Sequence, residues 1–437
     1  MFKTITSEGV VELPVIVDLR SPQGGGIFAD TKRMHWRALL GEASSNAHFG
    51  PSPKPHPSSH LKEYFSVPRI IESVVIHGML VCLSGLLYEI TVMPAAAGRV
   101  AWKFFRNPDP TFSCREKSDF LRTLILIAAG WIFHAHIDFS GVYHYIRAQS
   151  LLKMYFIFNM LEIIERLVRS WGVEILDSLI ISSMGDSLVS VIAHWVGALV
   201  YTLIHSYIHF WRVMLVSVAI VSTDSSMFMI VLTNNFAELK GTVFKKYEPR
   251  SLYPVITSDI VERMYLAIDV SVVLFRMLTS PQKRKMPFVE VAYWVGVMVG
   301  LEVITDWVKY MCVTKFNQID LSTFWHFKQI HKADILNSRN GDPNPVPPLV
   351  YKGLVAPSQL PPRRMNFMAT PLAVLVLGNL MLPNLVGSEP LTLWSYRVLV
   401  LLGLFLAKLI LDWVLIGTAS REGLPPLPEK LQNVRAL

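Results

Sequence analysis

The 437-residue sequence has few cysteines and few charged residues. Its three cysteines, Cys82, Cys114 and Cys312, are odd in number and widely spaced, which argues against a disulfide framework or a zinc signature. Only 17% of the residues are charged while 52% are hydrophobic, a composition far from that of a soluble protein. We therefore expect lipid to be the main solvent of the chain.

Common catalytic motifs are absent as well. The sequence contains no P-loop, no dinucleotide fingerprint, no HExxH and no GxSxG motif, so it gives no positive case for catalysis. We expect no enzymatic activity, no cofactor and no metal. The first 26 residues also lack an apolar run of roughly 7 to 15 residues before a small-residue cleavage site, so we expect no cleaved secretory signal.

The net charge of +8 is spread over many short segments. Basic residues lie in loops beside apolar runs and do not form one patch, which is atypical of a nucleic-acid-binding protein. By the positive-inside rule, the segments 98–119, 313–366 and 418–437 favour the cytosol. We expect membrane lipid as a partner and no nucleic acid.

Long apolar runs are the dominant feature of the sequence. A helix needs about 20 mostly apolar residues to cross a bilayer core of about 30 Å. Six windows meet this requirement well: 74–97, 120–137, 188–210, 213–233, 365–388 and 398–416. Two weaker windows, 264–280 and 287–308, carry several charged residues.

Together these runs predict an all-α fold, a polytopic transmembrane helical bundle with six to eight spans. Amphipathic helices are expected between the spans, and a disordered tail at the N-terminus. The basic run Lys283, Arg284 and Lys285 conflicts with two crossings around it, so one of the weaker windows is not expected to span. The predicted parts are a flexible polar tail 1–73, a membrane core 74–319, a proline-rich basic linker 320–364, a transmembrane hairpin 365–417 and a tail 418–437.

Between the second and third spans, residues 143–178 combine apolar residues at helical spacing with many charges. We predict an amphipathic helix, either at the membrane interface or packed inside the bundle. Glu162 with Arg166 and Glu165 with Arg169 are spaced four apart with the acid first, an order that stabilises a helix. The simplest interpretation of these pairs is a solvated helix face.

The start of this helix is our candidate interaction motif. Ser150 is placed to cap exposed amides, and Arg147 can bind a carboxylate or a lipid phosphate. Such a motif can equally mark helix packing or a binding surface. The motif consists of Tyr143, Arg147, Gln149, Ser150, Lys153, Asn159, Glu162 and Arg166.

Polar residues inside the apolar windows form a second candidate set. His205 and His209 are four apart and share a helix face, a spacing at which two imidazoles can bind one metal, but two ligands alone do not make a site. A composite metal or proton site with the equally spaced His134 and Asp138, and with His194 and Asp186 nearby in sequence, is one interpretation. The alternative is that these imidazoles lie at the membrane interface or form hydrogen bonds between helices. Two further members, Glu89 and Asp224, are either hydrogen-bonded structural acids or ion relays.

Three blocks of sequence carry a resemblance to a known family. They are YHYIRAQSLLKMYFIFNMLEIIERL at 143–167 with WGVEILDSL after it, NNFAELKGTVFKKYEP at 234–249, and DWVKYMCVTKFNQI at 306–319. In this order they resemble the transmembrane anterior posterior transformation protein family. The resemblance covers residues 65–319 well and the last two spans loosely, with Ala148 in place of the family's Gly and Glu165 in place of Asp.

The resemblance implies a multi-pass endoplasmic reticulum membrane protein, in animals also linked to the ciliary base. Such a protein supports protein maturation or quality control, and fungal relatives act with a SUN-like-domain membrane partner. It supplies no catalytic residues. We therefore expect a non-enzymatic scaffold for folding, quality control or trafficking. Two alternatives remain: a transporter or channel that uses the intramembrane acids and histidines, and a lipid-handling protein that uses Arg147 and Lys153.

Overall fold

The computed structural model describes residues 5–6, 9–10, 57–106, 111–185, 187–221, 226–279, 288–339, 355–380 and 390–421. Contacts divide the chain into two units, 1–58 and 59–437. In the first unit, strands β1 (Ile5–Thr6) and β2 (Gly9–Val10) pair antiparallel. The second unit is helical, as the apolar runs predict.

Within the described ranges the chain forms thirteen α-helices and one π-helical turn. The first is α1 (Pro57–Leu87), which begins inside the segment predicted as a tail. The π-turn Tyr88–Val92 joins α1 to α2 (Met93–Arg106). The next helices are α3 (Cys114–His136), α4 (Phe139–Arg147), α5 (Leu151–Ser182), α6 (Leu188–Val221) and α7 (Ser226–Val243). The last are α8 (Pro249–Thr279), α9 (Phe288–Asn317), α10 (Ser322–Arg339), α11 (Leu360–Arg364), α12 (Ala369–Leu380) and α13 (Pro390–Arg421).

Five helical segments among the described residues are long and apolar enough to cross a membrane. They are Tyr64–Arg106, Cys114–His136, Leu188–Ile220, Val289–Asn317 and Ser395–Ser420. A shorter apolar helix covers Ala369–Asn379. These segments confirm the polytopic helical class. Of the two weaker windows, only 287–308 falls in such a segment.

The boundary predicted between the windows 188–210 and 213–233 is wrong. Helix α6 runs without a break from Leu188 to Val221. Arg212, which separates the two windows, lies within this helix, and its charge is paired with Asp269. Its charge therefore marks a buried contact and not a membrane boundary.

Helix α6 lies at the centre of the bundle and packs against α3, α4, α5, α8 and α12. Helix α9 packs mainly against α7, and α10 against α13. One apolar core joins most of these helices, with Phe210, Tyr265 and Tyr310 among its largest buried side chains. The charged face of α5 meets α6, and this contact positions the candidate site.

Candidate functional site

Helix α5 turns one of its charged pairs, Glu165 and Arg169, inward. The Arg169 guanidinium donates from Nη2 to Glu165 Oε2 over 3.2 Å, with side chains only 6% and 2% exposed. The solvated-face interpretation is therefore wrong for this pair. The companion pair is partly exposed, with Arg166 Nη2 2.7 Å from Glu162 Oε1. Because the charges of Glu165 and Arg169 compensate each other, α5 can bury both side chains.

The opposite face of α5 is apolar and exposed. Its members recur every three or four residues, so they form one continuous stripe along the helix. We call this set the α5 stripe: Leu152, Phe156, Met160, Ile163, Ile164, Leu167 and Trp171. At about 1.5 Å per residue it is about 29 Å long, close to the thickness of a bilayer core. The predicted amphipathic helix is thus packed in the bundle with its polar face inside.

Two histidines of α6 face Glu165. The rings of His205 and His209 stack with centroids 4.6 Å apart. The Tyr201 hydroxyl lies 2.8 Å from His205 Nδ1, and His205 Nε2 lies 3.7 Å from Glu165 Oε1. Tyr265 of α8 packs edge-on against His209. The two histidines share one helix face, as predicted, and this face is part of a buried polar cluster.

Helix α8 closes this cluster through Asp269 and Tyr265. Arg212 Nη2 lies 3.4 Å from Asp269 Oδ2. The guanidinium carbons of Arg169 and Arg212 lie 5.7 and 5.3 Å from the Tyr265 ring centre, within cation–π range. The cations of α5 and α6 are therefore held between carboxylates and one aromatic ring.

A second ionic cluster centres on Lys309 of α9, which is 1% exposed. Its ammonium lies 2.7 Å from Asp259 Oδ2, 2.9 Å from Glu238 Oε1 and 3.0 Å from Asp306 Oδ1. The Tyr310 hydroxyl also donates to Asp259. One buried cation thus holds three carboxylates, and these come from α7, α8 and α9.

Arg263 extends the second cluster to the first helix. It donates from Nε to Asp306 Oδ2 over 2.7 Å and from Nη1 to both oxygens of Glu72, at 2.9 and 3.0 Å. The Trp307 indole also donates to Glu72. These bonds tie α1, α8 and α9 together. We call the charged residues of both clusters the buried ionic network, although three of them, Glu72, Arg212 and Glu238, are half-buried. Its members are Glu72, Glu165, Arg169, Arg212, Glu238, Asp259, Arg263, Asp269, Asp306 and Lys309.

A cavity of about 90 Å³ lies between the two clusters. Five glutamates line it, and they come from α5, α7, α8 and α9: Glu162, Glu165, Glu238, Glu262 and Glu302. Arg212 contributes a positive charge to the lining, and Arg166 reaches Glu262 from α5 over 3.1 Å. The lining is therefore acidic on balance and can hold water or a small cation.

Glu89 lies in a separate buried site at the π-turn. Arg122 of α3 donates to its Oε1, and Gln359 donates to the same oxygen over 3.2 Å. Arg122 also donates from Nη1 to Gln359 Oε1 over 2.7 Å. Glu89 and its partners thus link α1, α3 and the segment before α11.

The equal spacing of His134 and Asp138 does not place them on one helix face. Helix α3 ends at His136, and Asp138 is the N-cap of α4, where it accepts from the Ser140 amide over 3.0 Å. The two side chains are exposed, whereas His205 and His209 are buried. The spacing of four fails here because the residues belong to different helices. Asp224 lies outside the described residues.

The candidate interaction motif divides into two groups. Tyr143 and Arg147 lie in α4, and Gln149 donates to the Tyr145 carbonyl over 3.0 Å. Ser150 occupies the N-cap position of α5, but its side chain makes no capping hydrogen bond, so that prediction is wrong.

The second group lies on α5 itself. Lys153 is exposed, Asn159 donates to the Tyr155 carbonyl, and Glu162 and Arg166 lie at the edge of the cavity. Asn234 of α7 donates to Glu162 over 3.1 Å. Only Glu162 and Arg166 of the motif thus reach the ionic clusters.

Sequence reasoning missed most of the buried ionic network. Asp259 and Arg263 lie four apart in one weakly apolar helix. Asp306 and Lys309 are three apart in a helix that is long and apolar enough to cross a membrane. Charges at such spacing within an apolar helix are the signal that points to buried pairs. Their partners on other helices carry no local signal.

A third polar site lies outside the candidate spans, on α10. Arg364 donates to both oxygens of Asp334 over 3.0 Å. His331 packs near Tyr253 in the same region, and it is buried. Burial lowers the pKa of His331 to about 3, and the positive charges of His77 and Arg364 act in the same direction. His331 is therefore neutral in the folded protein near neutral pH.

Comparison with known proteins identifies similar chains. A profile described as a eukaryotic membrane protein family matches residues 112–423. The human transmembrane anterior posterior transformation protein 1 homolog is 29% identical over 386 residues, which are 84% of this chain and 65% of that protein. No solved structure matches.

Two further relatives come from distant organisms. A Caenorhabditis elegans protein named Protein TAPT1 homolog is 28% identical over 372 residues, 82% of this chain and 49% of that protein. A Dictyostelium discoideum protein of the same name is 31% identical over 304 residues, 63% of this chain and 36% of that protein. The chain thus spans about half to two thirds of the length of the nematode and human relatives.

Proposed function

The chain belongs to the transmembrane anterior posterior transformation family of eukaryotic membrane proteins, and on this premise we propose that it is a non-enzymatic scaffold. It acts in the endoplasmic reticulum membrane and supports protein folding, quality control or trafficking. Its partner is a SUN-like-domain membrane protein, as the family resemblance implies. In an animal cell, a further location at the ciliary base follows from the same resemblance.

The observation that carries this proposal is the exposed α5 stripe. Helix α5 contains the block of sequence most typical of the family, and its inner face is committed to the bundle through Glu165 and Arg169. Its outer face leaves Phe156 63% exposed and Trp171 62% exposed. A membrane helix of the partner has the length and the apolar chemistry to cover such a stripe.

The buried ionic network supports a structural role. Its charges are paired with one another across α1, α5, α6, α7, α8 and α9. Such paired groups in a low-dielectric interior hold helices in one arrangement, because any other arrangement leaves a buried charge unpaired. A scaffold requires this fixed geometry in order to present one surface to its partner.

Co-purification tests the proposal. The full chain is expressed in its own cells, extracted in a mild detergent, and its partners are identified and quantified. We expect a stoichiometric membrane protein with a SUN-like domain. A variant with Phe156→Ser, Ile163→Ser and Leu167→Ser in the α5 stripe should lose most of it.

The control carries three equivalent changes on the exposed face of α13, namely Leu399→Ser, Leu402→Ser and Leu406→Ser. It should retain the partner if recognition is specific to α5. A wild-type chain that purifies alone, or equal loss in the two variants, contradicts the proposal.

A second candidate function is passage of a cation, favoured by the acidic cavity beside Glu262 and Glu302. Reconstitution into liposomes with a proton or sodium gradient tests it. Flux that Glu262→Gln abolishes supports this candidate. Absence of flux at a protein density that gives a clear signal for a known transporter argues against it.

A further inference from the structure

Three groups that commonly bind metals converge between α5 and α6. Glu165 offers one carboxylate oxygen, and His205 and His209 offer one ring nitrogen each. All three atoms lie within 4.8 Å of one another. The two histidines come from successive turns of one helix and the carboxylate from its neighbour, so packing of the two helices fixes their approach.

These groups are buried, and most of their polar atoms have no hydrogen-bond partner. Both ring nitrogens of His209, Nε2 of His205 and Oε1 of Glu165 lack one within the described part of the chain. Their exposed fractions are 0% for the two histidine side chains and 2% for the glutamate. Buried polar atoms are nearly always paired, so four orphaned atoms at one place point to a missing ligand.

Neighbouring side chains engage the other polar atom of His205 and of Glu165. The Tyr201 hydroxyl engages His205 Nδ1 at 2.8 Å, which leaves Nε2 available. Arg169 engages Glu165 Oε2, which leaves Oε1 available. Outer hydrogen bonds of this kind commonly fix the orientation of metal-binding histidines and carboxylates.

The separation of the free atoms also suits a metal. His205 Nε2 and Glu165 Oε1 are 3.7 Å apart, too far for a hydrogen bond. Bonds of about 2.0–2.1 Å in a tetrahedral zinc site place two ligand atoms about 3.3–3.4 Å apart. The His205–Glu165 pair is thus within a few tenths of an ångström of that spacing, and binding also requires the His209 ring to turn out of its stack with His205 so that its nitrogen meets the same ion.

The surrounding charge tolerates a cation despite two nearby guanidinium groups. Arg169 is paired with Glu165, and Arg212 with Asp269. The adjacent cavity adds four more carboxyl groups, those of Glu162, Glu238, Glu262 and Glu302. Because Glu165 also lines this cavity, a water molecule can complete the coordination from that side.

We propose that Glu165, His205 and His209 bind one divalent transition-metal ion, zinc being the best match. Two imidazoles and one carboxylate form a common ligand set for zinc, with a fourth position left for water. Bound there, the ion links α5 to α6 at the helix that carries the family's central block. The site is independent of the proposed partner, since it faces the bundle interior and not the α5 stripe.

Metal analysis of the full chain tests the site. The protein is purified through an affinity tag that contains no histidine, incubated with zinc alone, passed over a desalting column and analysed by mass spectrometry. We expect about one equivalent of zinc per chain. The variants Glu165→Gln, His205→Gln and His209→Gln should retain at most a small fraction of it.

The matched control is His194→Gln on the same helix, where the ring bonds to the Ser190 carbonyl and lies outside the cluster. It should bind zinc as the wild type does. Cobalt in place of zinc should give the intense visible absorption of a four-coordinate site. If a variant does not fold, X-ray absorption at the zinc edge of the wild-type protein identifies the ligands instead. We expect a coordination shell of two imidazoles and oxygen.

Three results overturn the inference. One is a wild-type chain that retains no more zinc than a detergent blank. Another is unchanged zinc content in folded His209→Gln and Glu165→Gln proteins. The third is a zinc coordination shell without imidazole.

Discussion

Lys309 and Asp259 form a buried ion pair, with Nζ 2.7 Å from Oδ2, although they lie in different helices. The same ammonium contacts Glu238 and Asp306, so one side chain joins acids from three helices. In water this arrangement contributes little to stability, but inside the bundle it determines which helices pack together. The buried ionic network is therefore the structural centre of the molecule.

Removal of the Lys309 charge should destabilise the fold strongly. Lys309→Met removes the cation that pairs with Asp259 and leaves Asp306 with Arg263 alone, and breaking such a buried pair costs about 3–5 kcal/mol. Unfolding in mixed micelles measures the free energy. The control Lys153→Met changes an exposed lysine on α5 and should stay within about 0.5 kcal/mol of wild type.

The double variant Lys309→Met with Asp259→Asn separates pairing from simple loss of packing. It should be less destabilised than the sum of the single variants, with a coupling energy of about 0.5–3 kcal/mol. Additive effects would show that the two groups do not interact.

Gly172 should tolerate no side chain. A Cβ at this position of α5 overlaps the Tyr201 hydroxyl, which holds His205. Gly172→Ala should therefore destabilise the protein by about 1–3 kcal/mol, against the usual gain of about 1 kcal/mol for alanine in a helix. Thermal unfolding of the purified chain checks this.

Gly197 of α6 provides the matched control because nothing lies within 4 Å of an added Cβ. Gly197→Ala should leave the unfolding temperature unchanged or raise it. Equal unfolding temperatures for the Gly172→Ala protein and wild type would contradict the packing of α5 on α6.

His331 should make stability depend on pH. Its folded pKa of about 3 lies below the usual 6.5, so the unfolded chain binds the extra proton between these values. Its contribution is complete above about pH 6.5 and decreases as the pH falls toward 3. From pH 7.5 to 5 the loss is about 2 kcal/mol.

The variant His331→Leu should show a smaller decrease in unfolding temperature over that pH range than wild type does. His326→Leu, a change of a half-buried histidine on the same helix, should retain the wild-type decrease. The same pH dependence in all three proteins would mean that His331 does not titrate on unfolding.

The sequence was sufficient for the helical membrane class and for the amphipathic character of α5. It could not show which face of α5 packs against the rest of the protein, because periodicity distinguishes an apolar face from a polar face but does not show which of them is buried. In water the apolar face is buried, but here Glu165 is buried and Phe156 is exposed. The burial pattern of α5 is therefore the reverse of that of a helix on a soluble protein.

Long-range partners were also beyond local sequence reasoning. Arg263 and Glu72 are 191 positions apart, and no sequence pattern near either residue indicates that the other is its partner. The spacing of His205 and His209 correctly placed them on one face, but Glu165 joins them only through packing of α5 on α6. Charged residues inside apolar helices could be predicted to be buried, whereas their partners could be identified only from the folded structure.

Site-specific photocrosslinking in native membranes tests the scaffold proposal most directly. A photoreactive residue replaces Phe156 in the α5 stripe, and Leu406 on the exposed face of α13 serves as the control position. We expect a protein adduct with a SUN-like-domain membrane protein at Phe156 and mainly lipid adducts at Leu406. Lipid adducts alone at Phe156, or the same protein at both positions, would contradict it.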